Sequence, residues 1–281
     1  MRIDAHHHVW DLAVRDQEWT RGIPVLRRSY LFDDLRPELV AGGVHGTIVV
    51  QTVTAPEETP ELLSLAQHHP EILGVVGWVD LTDPDVAGRL TALRSGEGGE
   101  WLVGVRHQVQ GESDPEWLLR PDVLRGLAAV ARAGLVYELL VTHDQLPQAV
   151  AVVHRVPGLR WVLDHAGKPP IAEATLEPWR THVSALAEST DVACKLSGLL
   201  TEAGADWDVD DLRPYAEHVL AAFGADRVMA GSDWPVCLTH ASYARAREVQ
   251  DDLLSGLSAA DTAAVTGGTA ERWYGLSSRP R

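Results

Sequence analysis

The strongest constraint on the fold of this chain is an alternation. From one end to the other, short and mostly continuous apolar runs trade places with stretches of helical spacing, joined by short loops. Continuous apolar runs suit strands covered on both faces, and repeated strand-then-helix units build a parallel sheet. Strands are predicted from Ile3 into the histidines that follow, then over 45–51, 73–80, 101–108, 135–141, 159–164, 192–197 and 227–231. Helices are predicted over 33–41, stopped by Gly42 and Gly43, and over 59–68, with Thr59 as N-cap and Pro60 in the first turn. Further helices fall over 84–94, 115–133 as one or two pieces, 145–155, 178–188, 211–223, 243–254 and 259–274. About eight strands, most followed by a helix, form the pattern of a (β/α)8 TIM barrel. An open doubly wound sheet shares the local pattern, but no GxGxxG or phosphate-loop motif accompanies it. A length of 281 residues suits one such barrel, and no linker or repeat divides it, so 1–281 is expected to be a single α/β domain.

Charge narrows the partners. A formal net charge of -16 argues against nucleic acid and anionic membrane surfaces. Two cysteines, Cys194 and Cys237, cannot make a disulfide framework. No apolar run has the length of a signal peptide or a membrane span, so a cytoplasmic protein is expected.

In a barrel of this kind chemistry gathers at the C-terminal strand ends. The first strand runs into His6-His7-His8. His6 and His8 are two apart and point to the same side of an extended backbone, with His7 facing the other way. Paired neutral imidazoles make half of a metal site. Later strand ends bring Arg106 and His107, then His165 within Asp164–Pro169, then Lys195 and Ser197, then Asp233 within Gly231–Pro235. Each alone has a structural alternative: a packed histidine, an arginine paired with a carboxylate, an aspartate capping the turn before Pro235. Their joint occurrence at strand ends points to a site.

The segments IDAHHHVW, LDHAGKP, CKLSGL, GSDWP and GGTAERWYGL together resemble the amidohydrolase superfamily. They are most similar to its lactonase branch, which includes L-fucono- and L-rhamnono-lactonase and pyrone-dicarboxylate lactonase types. The resemblance covers nearly the whole chain. It implies His6, His8, His165 and Asp233 as metal ligands, and Asp233 as the group that takes a proton from the attacking water. The chain departs from two-metal members at two places: the fourth strand ends in Arg106-His107 without a bridging lysine or glutamate, and the fifth offers Glu138 without a histidine. At most one divalent metal, Zn²⁺, is therefore expected. Members of the branch hydrolyse without a metal, so its need for catalysis stays open.

On this reading the chain opens a neutral sugar-acid lactone by attack of water. Asp233 is the general base, and Arg106 and His165 polarise the carbonyl. His107 and Lys195 are expected as polar substrate contacts, and Trp10 and Trp234 as indoles against a sugar face. The alternatives are a single-metal decarboxylase using Arg106 for a carboxylate, a hydrolase of a carboxylated or aromatic lactone, and a non-catalytic barrel that binds a sugar acid. Oligomeric state, including a homo-oligomer, stays open.

Overall fold

The computed structural model describes residues 1–276; the end of the expected domain, 277–281, lies outside the described residues. Eight parallel strands pair in sequence order: β1 (Ile3–His7), β2 (Gly46–Val50), β3 (Ile72–Gly77), β4 (Leu102–His107), β5 (Val136–Leu139), β6 (Arg160–Leu163), β7 (Val192–Leu196) and β8 (Val228–Ala230). The sheet closes where the chain after β8 meets β1. His7 and Trp234 form a parallel bridge, His8 N donates to Trp234 O (2.6 Å), and Asp233 N donates to His6 O (2.8 Å). Gly231 permits this approach, since a Cβ there would stand 2.7 Å from the His6 Cβ. The structure is thus the expected (β/α)8 barrel.

The outer ring holds α1 (Phe32–Ala41), α2 (Glu58–His68), α3 (Val86–Ser95), α4 (Pro121–Arg132), α5 (Leu146–Arg155) and α6 (Trp179–Ala187). After β7 come the short α7 (Leu199–Glu202) and the long α8 (Val209–Phe223), then α9 (Tyr243–Leu253), α10 (Ala259–Ala263) and α11 (Thr269–Trp273). Two apolar layers follow from strand alternation. A wide outer layer packs sheet against helices, and an inner plug holds Ile3, Ile48, Val76, Val136, Val162 and Met229, joined by Tyr274 from just after α11.

Three local expectations change. Thr59 is not a cap, because α2 begins at Glu58; its hydroxyl instead donates to Trp78 O and accepts from Trp78 N, tying α2 to the end of β3. Helix α8 starts earlier than 211, at Val209, because Asp208 and Asp211 form a reciprocal cap. The single helix expected over 259–274 is broken by a π turn at Ala264–Gly268, where a Cβ on Gly267 would collide with the Met1 carbonyl.

Candidate active site

The histidines of β1 reach the barrel interior through a change of phase. Ile3 and Ala5 belong to the inner plug, yet the pairing with β2 advances three residues on β1, Asp4 to His7, against two on β2, Thr47 to Val49. Such a shift re-aims the side chains beyond it. It turns His6 and His8 inward, and leaves His7 to pack against Phe32 outside. His165 and Asp233 are aimed differently. Both have left-handed backbones, with φ of 52° and 57°. His and Asp are among the few residue types that tolerate this conformation, and here it carries each side chain over the end of the barrel.

Four polar side chains meet there. His6 Nε2 lies 3.2 Å from His8 Nε2, and Asp233 Oδ1 is 3.4, 3.7 and 4.0 Å from Nε2 of His8, His6 and His165. The second nitrogen of each of these three rings is held from behind, that of His6 by Lys195 Nζ at 3.0 Å. His8 Nδ1 is 2.8 Å from Val50 O, which makes it the donor and leaves Nε2 bare, and His165 Nδ1 is 2.9 Å from Ser197 Oγ. Arg106 sits beside them. Its guanidinium donates to Gln51 O and Oε1 and to Asp164 Oδ2 (3.1 Å), and NH1 lies 3.3 Å from His6 Nε2.

The electrostatics follow from burial and neighbours. Burial holds His165 down at about 4, and burial together with the Lys195 charge holds His6 well below the usual imidazole range, so both rings are neutral near pH 7. Burial pushes the Asp233 carboxyl up, but His165, His8 and Lys168 outweigh it and leave the group below its ordinary value. Asp233 is therefore ionised, and its Oδ1 is buried without a hydrogen-bond donor. An orphaned carboxylate oxygen among imidazoles, with His8 Nε2 bare beside it, has the donor chemistry of a divalent cation site. His6, His165 and Asp233 each offer a ligand atom within 4.8 Å of the others, with His8 close beside.

A cavity of about 420 Å³ opens above this cluster. His8, Arg106, His165 and Asp233 form its floor, and Trp19, Thr52, Gln108, Gln110, Lys168 and Glu202 contribute to its walls. Four expected substrate contacts do not line it. Lys195 is fully buried beneath His6, with Nζ engaged by Glu138, His6 and Asp164. His107 is stacked on Trp117 and bonded through both nitrogens, to Trp78 Nε1 and Glu112. The Trp10 indole donates to Arg28 O, and Tyr30 packs edge-on between the Trp10 and Trp234 rings. In each case alternation or local pairing turns the side chain away from the cavity.

The indole that does reach the rim is Trp19, carried by the segment between β1 and α1. No strand-end rule points to it. Asp4 also escaped the strand-end reading: its carboxylate accepts from Ser232 N (2.8 Å) and Tyr243 OH (3.2 Å), and so steadies the turn that presents Asp233.

Known proteins resemble this chain over nearly its whole length. The amidohydrolase family model matches residues 3–276. An L-fucono-1,5-lactonase of Burkholderia multivorans is 41% identical over 98% of this chain and 96% of its own length. An L-fucono-1,5-lactonase of Burkholderia ambifaria is 39% identical over 84% of this chain and 80% of its own. The crystal structure of an amidohydrolase from Burkholderia multivorans with bound zinc superposes with a TM-score of 0.91, at 41% identity, covering 98% of this chain and 99% of that one.

Proposed function

The chain belongs to the amidohydrolase family, and from that premise we propose that it is a lactone hydrolase opening a sugar-acid lactone of the L-fucono-1,5-lactone kind with water. Full-length similarity to the two Burkholderia lactonases supports the reaction class. The single structural observation that carries the mechanism is the buried Asp233 carboxylate at the cavity floor, whose Oδ1 has no donor.

Asp233 accepts a proton from the attacking water and returns it to the leaving ring oxygen. Arg106, its N–H groups engaged by Gln51, Asp164 and His6, supplies a fixed positive charge beside the carbonyl that favours the developing oxyanion. His165 and His8, both with one nitrogen engaged from behind, orient the water and the carbonyl. A divalent ion such as zinc would be held by His6, His165 and Asp233 with His8 beside them, and when bound it supplies Lewis-acid polarisation. The Trp19 ring offers a face for the C–H side of a sugar. Among the described residues no helix is long and apolar enough to cross a membrane. Both cysteines are free and buried, which suits a reducing compartment, and we place the enzyme in the cytoplasm.

The test is a screen of aldonolactones with a pH indicator. Acid release with L-fucono-1,5-lactone or a close relative is the expected result. CO2 release from an aromatic acid without lactone opening would replace this reading by decarboxylation, and neither signal would leave a sugar-acid binding barrel.

A further inference from the structure

Beneath the cavity floor lies a second polar cluster that the proposed reaction leaves unused. His6, Glu138 from β5 and Asp164 after β6 each present a ligand atom within 4.8 Å of the others, and all three are buried. Two carboxylates and an imidazole have the donor chemistry of a divalent cation site. A cation already stands among them. Lys195 Nζ lies 2.7 Å from Glu138 Oε2, 3.0 Å from His6 Nδ1 and 3.3 Å from Asp164 Oδ1. The lysine reaches this point from β7, across the barrel interior, with no exposed side-chain surface.

We propose that the Lys195 ammonium is the resident cation of a second cation site, doing for His6, Glu138 and Asp164 what a second divalent ion would do, and keeping that ion out. The charges support this. Arg106 is paired with Asp164 Oδ2 at 3.1 Å, so the two carboxylates are matched by two built-in positive groups. An added divalent ion would stand a bond length or two from the ammonium, in a buried region where like-charge repulsion is weakly screened. Without the ammonium, one arginine faces two buried carboxylates, and three donor atoms are left around a space emptied of the lysine chain. The fourth and fifth strand ends lack bridging ligands, which already limits the expected metal count to one. The structure gives another reason: the donors are present and the lysine occupies them. Lys195 is also a positioning residue, since its bond to Nδ1 helps fix the ring that turns Nε2 towards Asp233.

The inference concerns metal content and stability, so its test is independent of the proposed lactone chemistry. Parent, Lys195→Ala and the charge-balanced Glu138→Gln/Lys195→Met pair are produced in zinc-supplemented medium. Zinc is counted by elemental analysis, and melting is followed on chelator-stripped protein with and without added zinc. Lys195→Ala is expected to hold one equivalent more than the parent, and zinc is expected to raise its melting temperature by more than it raises the parent's. The double variant, lacking one carboxylate, is expected to gain no extra equivalent. A folded Lys195→Ala with the parent's zinc content overturns the proposal. So does a Lys195→Ala that stays insoluble in zinc-grown cells, because zinc would then fail to replace the ammonium. An extra equivalent in the double variant as well would put the added ion away from Glu138 and overturn it too.

Discussion

Two polar clusters share the inside of this barrel and differ in what matches the charge of their carboxylates. The upper one, His8, His165, Asp233 and Arg106, faces the cavity and contains a buried carboxylate oxygen without a donor. In the lower one, around Lys195, Glu138 receives the lysine and the Tyr274 hydroxyl and Asp164 Oδ2 receives Arg106, while Asp164 Oδ1 has no hydrogen bond but lies 3.3 Å from the lysine ammonium. Burial raises the free-energy cost of any unpaired polar group. A carboxylate oxygen set against a built-in ammonium has its charge matched within the fold, whereas one that faces neutral imidazoles at a cavity is left for a ligand. His6 belongs to both, with Nδ1 facing down and Nε2 facing up.

Breaking the upper cluster at its open bond should have the largest effect. Asp233→Asn keeps shape and the left-handed backbone, which Asn tolerates, but cannot take a proton. Turnover on a good lactone should fall at least ~10²-fold with melting little changed, the low end of general acid–base contributions. Near-normal turnover would remove Asp233 from the chemistry and reduce it to a turn residue. Next is Arg106→Lys, which loses the planar fork shared between Gln51 and Asp164. Catalytic efficiency should drop at least about tenfold, since a hydrogen bond to charge is worth ~1.5–3 kcal/mol. Unchanged kinetics in a folded variant would return Arg106 to a structural role.

The neutral imidazoles sharpen the comparison through pH. Burial lowers His165 to about 4 and, on the outer face of β1, His7 to about 3. In the unfolded chain both titrate near ~6.5. The unfolded state thus binds more protons between these values, and stability rises with pH across that window. Melting temperature should be highest above the unfolded value and fall as pH drops through it towards about 4. A flat melting profile over that range would contradict neutral, buried rings.

Smaller effects are expected at the edges of the two clusters. Trp19→Ala should raise KM about twofold to tenfold with kcat retained, from aromatic contacts of ~0.5–1.5 kcal/mol. A KM unchanged across several lactones would leave Trp19 as a rim residue only. Tyr274→Phe should have the least effect on turnover, because its hydroxyl donates to Glu138 below the cavity. Chemical denaturation should show instead a stability loss of ~1–3 kcal/mol for a buried acceptor deprived of a donor. A large fall in kcat with stability intact would mean that the lower cluster is no mere support.

Period and composition alone determined much about this protein. The strand-then-helix alternation and continuous apolar runs dictate a parallel sheet with both faces covered, and about eight such units without a phosphate-loop motif favour its closure into a barrel. Strand ends rich in His, Arg and Asp name the cavity floor, since the barrel collects those ends on one side. Thr59, by contrast, looked like a cap and is a tie to Trp78, a choice made by where β3 ends. His107, Lys195, Trp10 and Trp234 lie beside strand ends as Arg106 and Asp233 do, yet face away from the cavity. Trp19 reaches it from the loop between β1 and α1. Closure of the barrel decided which of these neighbours face the cavity. The one-residue phase shift in β1, the left-handed turns at His165 and Asp233, and the lysine crossing from β7 to Glu138 all depend on contacts between residues far apart in sequence. A one-residue shift reverses the face of every side chain beyond it, so only the assembled tertiary structure could select the side chains that meet.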